Sequence, residues 1–308
     1  MSDDPTRDSA AALWAPLGRC VSLERRIGAI MARTSTHIAL YEFLRFGIKQ
    51  AWACLFGAIM LGLLISTHVL WRWLWPGGGA PVARYDVLFV AAVAVQVALV
   101  TLKMELWEEA KVILLYHVVG TVMELFKTQV GSWVYPEPCF FRIGGVPLFT
   151  GFMYACVGSY IARAWRLFAF RFTHHPPLWA LTALSVAIYA NFFAHHYMWD
   201  ARPLLFAAAA VLCGRTRIYF VVWRTPRWMP LLVGFALVTL FLWFAENLGT
   251  LTQTWLYPHQ RDGWRMVSVS KLGAWFLLII ISYTLVAWVA GVRTHVRRAA
   301  LPVPARPV

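Results

Sequence analysis

The most regular feature of this chain is the alternation of long apolar runs with short polar segments that carry most of its charge. Eight runs are long enough, at 1.5 Å per helical residue, to approach the roughly 30 Å hydrocarbon thickness of a bilayer. They cover residues 51–71, 86–102, 112–130, 146–168, 178–196, 204–222, 228–250 and 267–292. Arg215 and Arg217 make the sixth run the weakest. The pattern predicts an all-α, polytopic integral membrane protein with about eight transmembrane helices.

Segments outside these runs complete the predicted organisation. Residues 37–50 mix apolar side chains with Glu42, Arg45 and Lys49, a pattern typical of an interfacial helix. The first apolar run begins too late for a cleaved signal peptide. We therefore expect four parts, which are an N-terminal cytoplasmic tail (1–36), an interfacial helix plus a first four-helix repeat (37–170), a second four-helix repeat (171–292) and a C-terminal cytoplasmic tail (293–308).

Composition supports lipid as the solvent of this chain. Hydrophobic residues make up 60% of the sequence, charged residues make up 14%, and the mean hydropathy is +0.61. A soluble domain of this length has no core large enough to bury so much apolar surface. The net charge of +14 is spread in small groups between the apolar runs, which argues against nucleic acid as a partner. The five cysteines form no CxxC pair and indicate packing residues.

The distribution of Lys and Arg predicts the orientation. The N-terminal tail, alternate loops and the C-terminal tail hold most of them, and the intervening loops hold few. Because cytoplasmic loops retain Lys and Arg, both termini are expected to face the cytoplasm. The predicted location is the bacterial inner membrane, crossed several times.

An internal repeat at an offset of 122 residues joins the two halves of the chain. Within thirteen aligned positions, 124–136 and 246–258 share five identities, in the order Glu, Thr, Trp, Tyr and Pro. The same offset places runs one to four on runs five to eight. An even number of spans per unit predicts two parallel repeats related by a pseudo-twofold axis along the membrane normal.

The segments YHVVGTVMELFKTQVGSWVYPEP (116–138) and GGVPLFTGFMYACVGSYIARAWRL (144–167) resemble the YoaT-like family of bacterial membrane proteins, which is named for its unknown function. That resemblance implies a polytopic membrane architecture and no established activity. The two motif copies are also similar to the membrane domains of carotenoid cyclases and hydratases, which place an acidic residue on a helix ahead of an aromatic and proline turn.

Two intramembrane carboxylates are the strongest candidates for chemistry. A charged side chain in hydrocarbon costs at least about 2.5 kcal/mol, so Glu124 and Glu246 must be paired, hydrogen-bonded or protonated. Helical spacing places each on a polar stripe, and the two stripes are His117, Thr121, Glu124 and Thr128, and Thr239, Trp243, Glu246 and Thr250. We predict Glu124, Glu246 and His117 as catalytic residues.

The remaining predicted site residues surround these carboxylates. The candidates for substrate binding are Lys127, Thr128, Trp133, Tyr135, Thr250, Trp255, Tyr257 and Lys271. A structural interpretation stands beside this one. In it, Glu124 pairs with Lys127 and Glu246 pairs with Lys271, while the aromatic residues form interfacial belts.

A cluster at the outward end of the fifth run contains residue types that bind metals. It comprises His195, His196 and Asp200, with His259 in the last outward loop. The spacing matches no diagnostic zinc or iron motif, so no metal site is predicted and the cofactor is unknown.

These observations leave three functions open, of which we favour the first. The first is a membrane-embedded enzyme that acts on an apolar, isoprenoid-like lipid with an intramembrane Glu as general acid. The second is a proton- or cation-coupled transporter of a small solute, with the carboxylates at the repeat interface. The third is a structural membrane protein without a substrate. The expected partners are membrane lipid and either an isoprenoid or a small solute, and the oligomeric state stays open.

Overall fold

The structure is a computed structural model that describes residues 26–27, 35–223 and 226–294. The described chain is mostly helical. Its long helices are α1 (Ser35–Ala53), α2 (Leu55–Leu74), α3 (Arg84–Thr101), α4 (Trp107–Gln129), α5 (Phe149–Leu167), α6 (Leu178–Ala194), α7 (Arg202–Cys213), α8 (Leu231–Leu251) and α9 (Ser270–Ala290). The predicted tails, 1–36 and 293–308, lie almost entirely outside the described residues.

Four of the described helices, α2, α3, α8 and α9, are long and apolar enough to cross a membrane. Helices α4 and α5 reach similar lengths, 23 and 19 residues, but are more polar. Helices α6 and α7 are apolar but shorter. Large apolar side chains such as Trp179, Val211 and Phe241 are exposed on the outer surface. This surface is typical of a bundle that faces lipid.

The structure corrects the prediction of one transmembrane helix over residues 204–222. Helix α7 has 12 residues and spans only about 18 Å. Beyond Gly214 the chain becomes extended, and Ile218, Tyr219 and Phe220 lie in a strand. β-branched and aromatic residues favour strands, and an apolar run alone does not distinguish a strand from a helix.

Short strands also correct the prediction of an all-α fold. The strands are β1 (Arg142–Ile143), β2 (Val146–Pro147), β3 (Arg171–Thr173), β4 (Arg217–Val221) and β5 (Pro226–Pro230). Strands β1 and β2 form a hairpin, and β3, β4 and β5 form an antiparallel sheet in that order. In the larger sheet Phe172 pairs with Ile218, and Ile218 pairs with Met229. This sheet joins the segment after α5 to the segment before α8.

Helix α1 turns its charged side inward. Arg45 and Lys49, one turn apart, are buried, whereas Leu40, Phe43 and Leu44 are exposed. The ammonium of Lys49 donates to the carbonyl oxygens of residues 167 and 221, both at 2.8 Å. These bonds hold α1 against the end of α5 and against β4.

The described helices therefore form a bundle with two distinct ends. The larger sheet lies at one end, where α5 and α7 finish. At the opposite end α4, α6 and α8 finish, and α5 and α9 begin shortly after them. The apolar core between these ends is built mainly from α4, α5, α6 and α9. The predicted site residues cluster at the end opposite the sheet.

Candidate carboxylate cavity

Helices α4 and α8 end in the same way. Gly131 has φ +71° and Gln253 has φ +52°, and their amides donate to the carbonyl oxygens of Thr128 and Thr250 at 3.1 and 3.0 Å. A left-handed residue after the last turn is a common helix terminator. Both chains then turn back over the end of the bundle.

The two turns that follow pair with each other. The amide of Val134 donates to the carbonyl oxygen of Leu256 at 3.0 Å, and the amide of Leu256 donates to that of Val134 at 2.9 Å. Each residue stands between the Trp and the Tyr of its own turn. The pair therefore fixes the four aromatic side chains of the two turns close together.

Glu124 accepts three hydrogen bonds from aromatic side chains. Trp133 Nε1 and Tyr135 Oη donate to Oε2 at 2.8 and 2.6 Å, and Tyr154 Oη donates to Oε1 at 2.8 Å. Only 3% of the Glu124 surface is exposed. Its carboxylate is thus buried but well supplied with donors.

Glu246 has a matching environment. Trp255 Nε1 donates to Oε1 at 3.2 Å, Tyr257 Oη donates to the same oxygen, and Trp275 Nε1 donates to Oε2 at 2.7 Å. Glu246 is also buried. The two carboxylates, 122 residues apart, therefore each accept bonds from a Trp, a Tyr and one aromatic residue of the following helix.

Both carboxylates line one cavity of about 110 Å³. Lys271 also lines it, with its ammonium 4.2 Å from the ring centre of Tyr257 and 5.4 Å from that of Trp133. The remaining walls are mostly apolar, with Met153, Phe192, Leu242 and Leu278 among them. The predicted residues that meet here are Glu124, Glu246, Trp133, Tyr135, Trp255, Tyr257 and Lys271.

The sequence interpretation missed Tyr154 and Trp275. They stand 30 and 29 residues after their respective glutamates, so the 122-residue offset does not align them. Each also lies in a long apolar run, where an aromatic residue normally indicates packing. Phe192, which reaches the cavity from α6, gave no sequence signal either.

Four predicted site residues are not among the residues that line the cavity, namely His117, Lys127, Thr128 and Thr250. His117 packs against Phe152, with ring centres 4.6 Å apart. The hydroxyl of Thr128 donates to the carbonyl oxygen of Glu124 at 2.8 Å, within its own helix. The hydroxyl of Thr250 accepts from Trp264 Nε1 at 3.1 Å.

Lys127 also lies outside the cavity lining. Its ammonium is 2.7 Å from Nε2 of His196 and 4.0 Å from the ring centre of Phe192. Burial and the neighbouring ammonium lower the pKa of His196, so its neutral ring accepts the bond. Among the described residues no ion pair joins Lys127 to Glu124, and the predicted structural pairing is absent there.

The His and Asp cluster at the same end is engaged in other contacts. Arg202 donates to Asp200, which holds the pKa of that carboxyl at about 2. Nδ1 of His195 lies 2.9 Å from the carbonyl oxygen of Asn191, and His259 stacks on Tyr257. Within the described ranges no three His, Cys, Asp or Glu side chains are arranged to hold a metal ion.

A second buried polar cluster lies toward the opposite end of α4 and α5. Glu105 accepts from Ser159 Oγ at 2.8 Å and from Gln96 Nε2 at 2.6 Å, and its Oε1 lies 3.5 Å from Nη2 of Arg163. Glu105 and Arg163 have no exposed side-chain surface. The sequence analysis did not predict this pair.

The fold and the cavity define a mostly helical protein with membrane-type helices and two buried carboxylates at one end of the bundle. Its sequence matches the family described as "Protein of unknown function (DUF817)" over residues 42–283. It is 39% identical over 249 residues to "Uncharacterized protein YoaT" of Bacillus subtilis (strain 168), covering 81% of this chain and 92% of that protein. No solved structure matches. The chain belongs to this family, which confirms the resemblance drawn from its two motif segments.

Proposed function

We propose that this protein is a membrane transporter for a small organic cation, and that the carboxylate cavity is its binding site. The observation that carries the proposal is the charge around the cavity. Glu124 and Glu246 both line it, and Lys271 is the one basic residue among the described side chains of the lining. With both carboxylates ionised, the cavity has a net charge of about −1 and attracts a cation.

Hydrogen bonds offset part of the cost of burying the two carboxylates. Each carboxylate accepts three bonds, and such bonds stabilise an anion. The indole N–H groups of Trp133, Trp255 and Trp275 donate only, so they cannot accept a hydrogen bond from a neutral carboxyl group.

The walls suit an organic cation better than a metal ion. Aromatic faces attract ammonium groups, and apolar side chains cover the remaining surface. Lys271 illustrates this chemistry, because its ammonium already lies over the rings of Tyr257 and Trp133. A second ammonium group could occupy the space between the two carboxylates.

An enzyme with a general acid receives less support from this geometry. Such a residue must hold a proton before the reaction, and the three indole N–H groups at Glu124 and Glu246 accept no hydrogen bond from that proton. The aromatic walls alone would suit a carbocation, but among the described lining residues no third carboxyl group is present to generate one. We therefore rank the transporter above the enzyme.

The proposal includes eight membrane crossings formed by two parallel four-helix repeats. The equivalent donors of Glu124 and Glu246 and the pairing of Val134 with Leu256 support the duplication. Helix α7 would form the short sixth crossing and lead into β4 at the end of the bundle that carries the larger sheet. The larger sheet and Lys49 lie at the end assigned to the cytoplasm, where Lys and Arg are abundant. Both termini would then face the cytoplasm, across the bacterial inner membrane.

Tryptophan fluorescence of the purified protein tests the proposed site, since three indoles contact the carboxylates. Tetramethylammonium should change the emission in a saturable way, and tert-butanol at equal concentration should not. Glu246→Gln should weaken tetramethylammonium binding at least about tenfold by removing one charge. Lys127→Met, outside the cavity, should leave it within twofold. Equal responses to the cation and the alcohol would exclude a cation site.

Transport is tested separately in proteoliposomes. Radiolabelled tetramethylammonium should accumulate inside vesicles that hold the wild-type protein when the interior is negative. Vesicles with Glu124→Gln should accumulate it no faster than empty vesicles. Uptake that does not depend on either carboxylate would contradict a transport role for the cavity.

A further inference from the structure

A second cavity of about 30 Å³ lies next to the carboxylate cavity, deeper in the bundle. Both cavities share the walls formed by Tyr154, Val157, Leu242, Trp275 and Leu278. The other walls of the second cavity are Tyr116, Val119, Gly120, Met123, Ile279, Ile281, Ser282 and Leu285. Apart from two hydroxyl groups these residues offer hydrocarbon.

Tyr154 and Trp275 form the boundary between the two cavities. Their ring centres are 6.3 Å apart, and each donates to one carboxylate. A Cβ at Gly120 would stand 2.7 Å from the ring of Tyr154, so only glycine lets this ring lie against α4. The same two side chains therefore contact both the charged and the apolar space.

Tyr116 lies at the far end of the second cavity. It is eight residues before Glu124 on α4, about 12 Å along the helix axis. Its hydroxyl group is buried and lies beside the hydroxyl of Ser282, which lines the same cavity.

Resting on the proposed function, we infer that the ligand is an amphiphilic ammonium compound. Its ammonium group occupies the carboxylate cavity, and a short hydrocarbon arm extends past Tyr154 and Trp275 into the second cavity. A water molecule there would find few polar partners, whereas a hydrocarbon arm would be well packed.

A homologous series of ligands tests this inference at equilibrium. We would measure dissociation constants of tetramethyl-, ethyltrimethyl-, propyltrimethyl- and butyltrimethylammonium for the purified protein. Burial of each added CH₂ should tighten binding about fourfold until the second cavity is filled. The total gain from the first to the last compound should reach about tenfold or more.

A larger side chain that fills the second cavity, compared with the same side chain on the exposed surface of α4, provides a matched pair of variants. Val119→Phe should abolish the gain with chain length and keep tetramethylammonium binding within twofold of wild type. Val118→Phe places the same side chain on the exposed side of α4 and should keep the gain, as should Tyr116→Phe. Val119→Leu replaces the first variant if that one does not fold.

The outcomes separate this inference from the function on which it rests. If tetramethylammonium does not bind, the proposed cation site is wrong, and the amphiphilic ligand falls with it. If tetramethylammonium binds but longer arms add nothing, the second cavity is not part of the ligand site. A gain that survives both fillings at position 119 would likewise overturn the inference.

Discussion

Val134 and Leu256 exchange two backbone hydrogen bonds, 3.0 and 2.9 Å long, and they stand 122 residues apart, the offset that also aligns Glu124 with Glu246. Two residues that exchange hydrogen bonds in this way are related by a local twofold axis. The two segments run antiparallel at this pair, as a twofold axis perpendicular to both of them requires. This pair brings the two turns, and with them the donors of both carboxylates, to one place.

The asymmetry between Tyr154 and Trp275 predicts different effects of the same substitution. In Glu124→Gln, the new amide N–H can face Tyr154, whose hydroxyl also accepts. In Glu246→Gln, the amide N–H faces an indole N–H at either oxygen position, that of Trp275 or that of Trp255. We expect Glu246→Gln to lose about 1–3 kcal/mol more unfolding free energy than Glu124→Gln.

Denaturant unfolding in detergent, followed by fluorescence, measures this difference. Trp275→Phe in the Glu246→Gln background removes the opposing donor and should recover part of the loss. Equal losses for the two glutamine variants would contradict the assigned hydrogen bonds.

Gly249 should not tolerate a side chain. A Cβ at this position would stand 2.1 Å from the ring of Trp255, which would have to move away from Glu246. Gly249→Ala should therefore cost about 1–3 kcal/mol. Gly62→Ala, where nothing lies within 4 Å, should be neutral or stabilising by up to about 1 kcal/mol. Thermal unfolding of both variants checks the contrast, and similar midpoints would argue against the close packing of Trp255.

The buried pair of Glu105 and Arg163 predicts a strong coupling. Glu105→Gln leaves the guanidinium buried beside a neutral group and should cost about 3–5 kcal/mol. Arg163→Met alone should cost a comparable amount, because the carboxylate then loses its partner. The double variant should be more stable than the sum of the single losses implies, and a double-mutant cycle by denaturant unfolding gives the coupling. Additive losses would mean that the two charges do not interact.

Reporter fusions test the topology. Fusions after Pro138, Asp200 and Asp262 should report the outside, and a fusion after His174 should report the cytoplasm, because Lys and Arg surround the last position. The paired turns already bring Pro138 and Asp262 to the same end of the bundle. Opposite signals from these two fusions would refute the parallel repeat.

Much of the helical framework followed from the apolar runs, because a bilayer requires about 20 apolar residues per helix. Helices α8 and α9 lie within the predicted limits 228–250 and 267–292 to within a few residues. The prediction of a helix over the sixth run was wrong because the second half of this run is rich in Ile, Tyr, Phe and Val, which suit a strand as well as a helix. Its pairing partners, β3 and β5, lie outside that run and could not be identified from it.

The candidate site was predictable where the two aligned segments, 124–136 and 246–258, share residues. Trp133 with Trp255, and Tyr135 with Tyr257, stand at the same offset as the two glutamates. Tyr154 and Trp275 were not predicted, because they are different residue types and because they stand 121 residues apart, one fewer than the offset of 122. The contact between Lys127 and His196 was not predicted either, because the two residues are 69 positions apart in sequence and only the packing of α6 on α4 brings them together.

The central claim, that the cavity binds an organic cation through its negative charge, is tested most directly by calorimetry with choline and 3,3-dimethyl-1-butanol. These two compounds have nearly the same shape and differ in the charge. Choline should bind at least about tenfold more tightly, and Lys271→Met, which removes the positive charge from the lining, should tighten choline severalfold further. Equal affinities for the two compounds, or weaker choline binding to Lys271→Met, would contradict the account.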